Sequence, residues 1–431
     1  MKTGLLAVLR SRCLRRSFFL SLSILSMAAS LFGAPNERQV TKLADGVYAI
    51  EHPNSNDGNV NGNTTVIIGD REVFVVDSCY SPSSAREDIA QIRKWTDKPV
   101  AYLLNTHFHN DHNNGNKTYL DAFPSLAIIA QEDTKRDMDL IQPGNIEREP
   151  KQLGAAIAAF KQGKDQRGQP LSENDKKEVQ AMLPGLEAEL AEFQTMVYTP
   201  PTLTFSDKID VNLGNREVQV KHLGRGNTPK DAIVYLPKEK ILVAGDLLVH
   251  PIPYTFDGYP AEWAQTLQRM VQLDATTIVP GHGAVQHDKA FLNLTADLLQ
   301  SAVDQVRARI RQIGHPGFHT VDDVKASVDL TPFRQKFAGD DKDLQGRVRR
   351  HGDAFGENRV QRGGATLKVL AVGIRAEPGL GRQCLTLNFF APFAASPLRP
   401  SRSRAFDFLR KSKDFDREER EGRAAKYAKE T

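Results

Sequence analysis

Eight consecutive residues constrain this chain more than any other feature: Asn105-Thr106-His107-Phe108-His109-Asn110-Asp111-His112. They follow the apolar run Val100–Leu104, which has the length and flanks of a buried strand ending at the motif. Three histidines and one aspartate fall within six residues, a density that a polar surface loop does not require. His107 and His109, two apart, point the same way only from extended backbone. Asp111 and His112 are adjacent and must diverge, which suits a loop serving two neighbouring ions. Imidazole with one carboxylate is a borderline-soft ligand set, favoured by zinc (Zn2+) and tolerated by iron or manganese.

The flanking sequence alternates between strand and helix signals. Strands are predicted at 46–50, 64–68, 72–76, 100–104 and 127–130, with a helix over Ser84–Trp95 capped by Ser83 or Ser84. Pro53 to Asn63 is rich in Asn, Gly and Ser and reads as a loop. Residues 133–197 differ, being charged and rich in Ala and Glu, with Leu153–Gln162 and Glu173–Met196 at helical spacing. They read as a helical insertion beside the motif, a lid or a peripheral helix pair, broken at Pro170 and Pro184-Gly185. Strand signals return at 203–205, 209–213, 217–222, 232–236, 241–244 and 277–279. Helices are expected over 263–273 and 289–313. Two halves, each of several strands followed by helices, predict an α/β protein with a four-layer αββα sandwich.

Charge divides the chain. Its net charge of +4 combines a basic N-terminus, an acidic middle (32 basic against 42 acidic residues over 35–341) and a basic end with 20 basic against 11 acidic residues over 342–431. An acidic working domain argues against a nucleic-acid partner. Residues 1–34 carry Lys2, Arg10, Arg12, Arg15 and Arg16 before the apolar run Phe18–Phe32, the pattern of a signal peptide. Export to the periplasm or outside the cell is expected, without stable membrane insertion once the signal is cleaved. Residues 35–341 form the expected folded domain, and 342–431 a basic, flexible extension. Of three cysteines, Cys13 lies in the signal segment; Cys79 follows a strand and reads as a small buried side chain, and Cys384 leaves one disulfide open to it.

Further along stand three motifs in company with the first: Gly224-Arg225-Gly226-Asn227-Thr228-Pro229, Val243-Ala244-Gly245-Asp246 and Val279-Pro280-Gly281-His282-Gly283. Together with His-x-His-x-Asp-His, this order resembles the metallo-β-lactamase superfamily over roughly residues 40–300. The resemblance implies that His107 and His109 hold a first ion and that Asp111, His112 and His282 hold a second. Asp246 bridges them, as a carboxylate does in glyoxalase II-like branches, and Asp77 orients the motif loop. Asn227 departs from the pattern, standing where most members place a histidine ligand of the first ion. An amide oxygen is the weaker donor, so the first site should hold its ion less tightly. His222 and His250 are the nearby substitutes; His52, His287, His315, His319 and His351 have no ligand-like context.

The same resemblance implies hydrolysis of an acyl bond in a small-molecule substrate, with Asp111 as general base or proton shuttle. Export favours a β-lactamase-like or lactonase-like hydrolase. Against a true β-lactamase, the best-known branch carries Cys in place of Asp246 and Lys in place of Val249; Arg225 or Lys230 would have to grip a substrate carboxylate instead. A glyoxalase II-like thioesterase and a non-catalytic periplasmic metal-binding protein are the alternatives.

Overall fold

The computed structural model describes residues 37–166, 168–253, 258–313 and 328–338, with two short paired strands at 372–374 and 387–389. The expected signal segment and nearly all of the C-terminal extension lie outside the described residues, as do His315, His319 and His351. Among the described residues no helix is long and apolar enough to cross a membrane.

A seven-stranded sheet is built from β1 (Gln39–Ala44), β2 (Val47–Glu51), β3 (Thr64–Ile68), β4 (Val73–Val76), β5 (Val100–Leu104), β6 (Ala127–Gln131) and β7 (Leu203–Phe205), in that spatial order. From β1 to β4 neighbours are antiparallel; from β4 to β7 they are parallel. Parallel neighbours require crossovers, and helices provide them: α1 (Pro82–Trp95), α2 (Asn116–Ala122), then the pair α3 (Glu132–Lys161) and α4 (Glu173–Phe193). The second sheet orders β12 (Thr277–His282), β11 (Ile241–Val249), β10 (Ala232–Leu236), β9 (Glu217–His222) and β8 (Lys208–Asn212). Its one parallel pair, β11 with β12, is joined through α5 (Pro260–Val271), and α6 (Ala290–Ile313) follows β12.

The apolar residues sort into layers by the period of two that a strand imposes. On β4, Val73 and Val75 face an outer core with Ile89 and Ile92 of α1 and Tyr119 of α2, while Phe74 and Val76 face the inner core. That inner core joins Leu104 and Ile129 of the first sheet to Val218, Val220, Val234 and Val243 of the second. Behind the second sheet, Ile233, Leu242 and Ile278 pack on Trp263 and Leu267 of α5 and Leu292 and Ala296 of α6. Strands covered on both faces read as unbroken apolar runs, and the result is the expected αββα sandwich.

Three local expectations are corrected. α1 begins earlier, at Pro82, and its cap is Ser81, whose hydroxyl accepts from Ser84 N at 3.3 Å; proline suits the first helical position because its missing N–H has no partner there. β1 escapes the sequence reading because it is an edge strand with little of its surface buried. Pro184-Gly185 does not break the insertion: α4 runs through it, as α3 runs through Pro143 and Pro150. Proline removes one helical hydrogen bond, but Leu153, Ile157 and Phe160 of α3 pack on Val179, Leu183, Leu186 and Phe193 of α4 and hold both helices.

The 53–63 loop is anchored at its end. Asn63 N donates to Gly281 O at 2.6 Å, and its side-chain amide donates to Pro280 O at 3.0 Å and Gly283 O at 2.8 Å, all buried. Asn63→Ala strands two buried carbonyls. The expected loss is about 2–3 kcal/mol of stability, read as a lower urea midpoint at unchanged slope.

Candidate metal centre

The motif leaves β5 at the C-terminal edge of the first sheet, and its geometry is set by Asp77, the residue after β4. Asp77 sits at φ +61°. Its buried carboxylate accepts from Thr106 N, the Thr106 hydroxyl and His112 Nδ1, each at 2.8 Å. The Thr106 hydroxyl, having donated to Asp77, accepts from His107 Nδ1 at 2.9 Å. A proton on Nδ1 of both rings leaves both Nε2 lone pairs pointing inward, the arrangement a cation ligand needs. Thr106 was not singled out in the sequence; a hydroxyl beside a histidine carries no signal until Asp77 is placed against it.

The second sheet supplies the facing wall. Asp246 lies within β11, where the pairing with β12 shifts register on either side of Gly245 and turns the carboxylate toward the motif. His282 ends β12. Gly281 beside it is required by close approach, since a Cβ there would overlap the Asp246 carboxylate.

Six of the predicted side chains converge in two groups. In the first, His107 Nε2 lies 3.0 Å from His109 Nδ1 and 3.7 Å from Asp246 Oδ2. In the second, His112 Nε2 lies 3.2 Å from His282 Nε2 and 3.5 Å from Asp111 Oδ2, and His282 Nε2 lies 3.1 Å from that same oxygen. Asp246 belongs to both, because its Oδ1 stands 3.2 Å from His112 Nε2 and 3.5 Å from His282 Nε2. Ligands held 2.0–2.2 Å from a tetrahedral ion lie about 3.3–3.6 Å apart. The donor set and its spacings therefore fit two cations sharing one carboxylate.

The electrostatics point the same way. Burial works against charge on His282 and His112, yet Asp246 and Asp111 outweigh it, lifting His282 to about 9 and His112 well above its ordinary value. Burial also opposes ionised Asp111 and Asp246, but His112 and His282 hold Asp111 down at about 2 and Asp246 well below the carboxylate range. His107 is pushed well down by burial and by His112, and so stays neutral. Without a cation the carboxylates recruit protons onto two of the rings.

Asn227 lies on the loop between β9 and β10, fully buried, with neither amide atom hydrogen-bonded. Ala232 N donates to Thr106 O at 2.9 Å, tying this loop to the motif. Asp231, whose carboxyl burial raises to about 7, feels the charges of both His109 and Asp246. A buried amide with both ends unmet, on a loop whose next strand is tied to the motif at Thr106, fits a ligand or substrate contact.

Neither His222 nor His250 joins the cluster. His222 Nδ1 faces Asp231 O at 2.9 Å, and His250 packs edge-on against Phe291. Arg225 pairs with Glu262 and lies over Tyr259, while Lys230 reaches Asp133 of α3; Val249 is buried. His287 is exposed. The helical insertion touches the motif directly: Gln142 donates to Phe108 O and Asn110 to Glu149. Burial raises the Glu149 carboxyl to about 7, partly offset by the Asn110 amide.

Residues 57–282, more than half of the chain, match the family described as the Metallo-beta-lactamase superfamily. A linear primary-alkylsulfatase of a Pseudomonas species is 27% identical over 285 residues, covering 62% of this chain and 51% of that protein. A type 2 metallo-beta-lactamase of a Bacillus species is 30% identical over 128 residues, covering 28% of this chain and 49% of the lactamase. The chain thus spans about half the length of these curated relatives. Among solved structures, a metallo-beta-lactamase from Pontibacter korlensis aligns at 21% identity and a TM-score of 0.43, covering 61% of this chain and 99% of that one. With the two-sheet sandwich and the family's motifs in order along it, the chain belongs to the metallo-beta-lactamase superfamily.

Proposed function

We propose that this chain is an exported, zinc-dependent hydrolase that opens an acyl bond of a small molecule, as a β-lactamase or lactonase does. Its main support is the convergence of His107, His109, Asp111, His112, Asp246 and His282 with lone pairs facing one another and Asp246 common to both groups. Imidazole and carboxylate donors suit zinc, and the charged, then apolar, N-terminal run supports export. A divalent cation in such a cradle supplies Lewis acidity and makes water nucleophilic at neutral pH.

The protein's own contribution is positional. Asp77 and Thr106 hold the Nδ1–H groups of His107 and His112 and so turn Nε2 of both rings inward. Asp111, ionised at neutral pH, accepts the proton of the attacking water beside His282. Asn227 offers an amide N–H to the substrate oxygen on which charge develops, or its oxygen to the first cation.

A second reading is hydrolysis of a sulfate ester, favoured by one observation: similarity to the alkylsulfatase extends over 62% of this chain, against 28% for the lactamase. Elemental analysis of the purified protein, followed by assay with a chromogenic cephalosporin, a lactone, a thioester and a medium-chain alkyl sulfate, separates the possibilities. Bound zinc with lactam or lactone turnover is the expected result. Turnover of the alkyl sulfate alone selects the sulfatase reading, and of the thioester alone a glyoxalase II-like one. Bound metal with no turnover identifies a non-catalytic binding protein.

Asp246→Ala removes the shared carboxylate, so bound metal should drop from two ions to one or none at this cluster, with activity down roughly a hundredfold or more. A fully loaded, active variant would refute the bridge. Asn227→His should raise the metal retained after dialysis against a weak chelator; unchanged retention would remove Asn227 from the shell. The sign of the pH dependence follows from His282: below about 9 its ring carries a proton in the metal-free protein, and a cation must displace it. Metal affinity should therefore climb as pH rises toward 9, with at least about one proton released per chain at pH 7. Calorimetry in buffers of different ionisation enthalpy measures that release.

A further inference from the structure

We propose that His52, Cys79 and Asp88 form a separate, fully buried site for one divalent cation of borderline-soft character, such as zinc. His52 follows β2, Cys79 lies in the turn after β4, and Asp88 is on the inward face of α1. In the sequence His52 has no ligand-like context and Cys79 reads as a small buried side chain or one half of a disulfide; folding brings them together. Cys79 Sγ lies 3.2 Å from Asp88 Oδ2 and 3.6 Å from His52 Nε2, and His52 Nε2 lies 3.0 and 3.1 Å from the two Asp88 oxygens. None of the three is exposed by more than 2%.

Counting protons leaves the group one short. His52 Nδ1 is 2.8 Å from Gly62 O, which can only accept, so Nδ1 carries a hydrogen. In a neutral ring Nε2 is then a bare lone pair aimed at a carboxylate. A second ring proton would relieve this as an imidazolium paired with Asp88, whereas a cation at Nε2 would relieve it without charging a fully buried ring. The Cys79 thiol can donate its one hydrogen to Asp88, and that leaves Nε2 still facing acceptors. Opposed buried acceptors are costly. A cation among Nε2, Sγ and Oδ2 removes the conflict.

The spacings suit it. With nitrogen and oxygen at about 2.0–2.1 Å and sulfur at about 2.3 Å, tetrahedral edges run to about 3.3–3.6 Å. Arg38 occupies Asp88 Oδ1 and leaves Oδ2 for the ion, while the Thr64 hydroxyl, 3.5 Å from Sγ, stands beside the thiol. An ion here would also brace the main cluster. Gly62, which receives His52, donates its N–H to Asp111 O at 3.0 Å, and a Cβ on it would collide with the His112 ring.

Sulfur supplies the test, because the strand-end cluster offers only nitrogen and oxygen donors. In the full chain with Cys13→Ser and Cys384→Ser, Cys79 is the sole thiol. Loaded with Co2+, this protein should show a near-ultraviolet thiolate-to-cobalt charge-transfer band and bind one more ion per chain than the same protein with Cys79→Ser, which should lack the band. His52→Gln, which keeps an N–H for Gly62 O, serves as the second variant should Cys79→Ser fail to fold, and it should lose the same ion. Adding Asp246→Ala should lower the strand-end cluster to one ion or none and leave the band, so failure of one site is distinguishable from failure of the other. No charge-transfer band in the cobalt-loaded parent would overturn the proposal and leave a hydrogen-bonded packing cluster.

Discussion

Asp77 accepts three hydrogen bonds with one buried carboxylate, and the motif loop takes its shape from them. The residue holds a left-handed backbone conformation, φ +61°, that a non-glycine residue adopts at a cost of about 1–3 kcal/mol. Such a conformation persists only where surrounding contacts over-determine it. Here they do: Asp77 N donates to Leu104 O at 2.8 Å, and Ser78 N to His112 O at 2.9 Å, clamping the loop after β4 to the loop after β5. Two rings inherit their proton positions from this one side chain, His112 directly and His107 through Thr106. Removing the carboxylate would free both imidazoles to turn, even though Asp77 touches neither Asp246 nor His282 among its hydrogen bonds.

Charge follows from that geometry. The cluster sets the buried Asp77 and Asp246 and the part-buried Asp111 against four imidazoles, and buried carboxylates demand compensation. Protons on His112 and His282 can provide it, as their raised pKa values indicate. Those protons would then occupy the nitrogens that face each other at 3.2 Å. Divalent ions compensate more charge while using the same lone pairs, so the pocket is better matched to cations than to protons. Asn227, on the loop between β9 and β10, is a fully buried neutral amide and adds a polar group there without adding charge.

Where spacing along the chain fixes spacing in space, the sequence was informative. His107 to His112 is one continuous stretch, and its residues meet because β5 ends there. Asp246 and His282 are recognisable at a distance because each follows an apolar run and stands beside a glycine, although β11 continues past Asp246 to Val249. Runs such as Val73–Val76 and Ala232–Leu236 announced strands buried on both faces. β1 carried no such run, since an edge strand can stay half polar. Pro184-Gly185 reads as a break because the packing that tolerates it is contributed by the other helix. His52, Cys79 and Asp88 have no local signature: Cys79 and Asp88 follow His52 by 27 and 36 residues, and the three come from a strand exit, a loop and a helix face.

Neither sheet holds a complete cluster. The first contributes the imidazoles and carboxylate of the motif; the second contributes Asp246 and His282, and the two are brought together by the inner core of Phe74, Leu104, Val234 and Val243. Docking of the sheets thus creates the cation cradle, and a cation in it would in turn hold the sheets together, since ligands scattered in an unfolded chain bind far more weakly. The same logic extends behind the cluster. Asn63 pins the 53–63 loop to β12, Gly62 lies against His112 and receives His52, and His52 reaches Asp88 on α1. Helix α1, the 53–63 loop and both sheets are therefore linked through contacts that converge on one pocket, so a change at Asp88 should be felt at His112 although no hydrogen bond joins them directly.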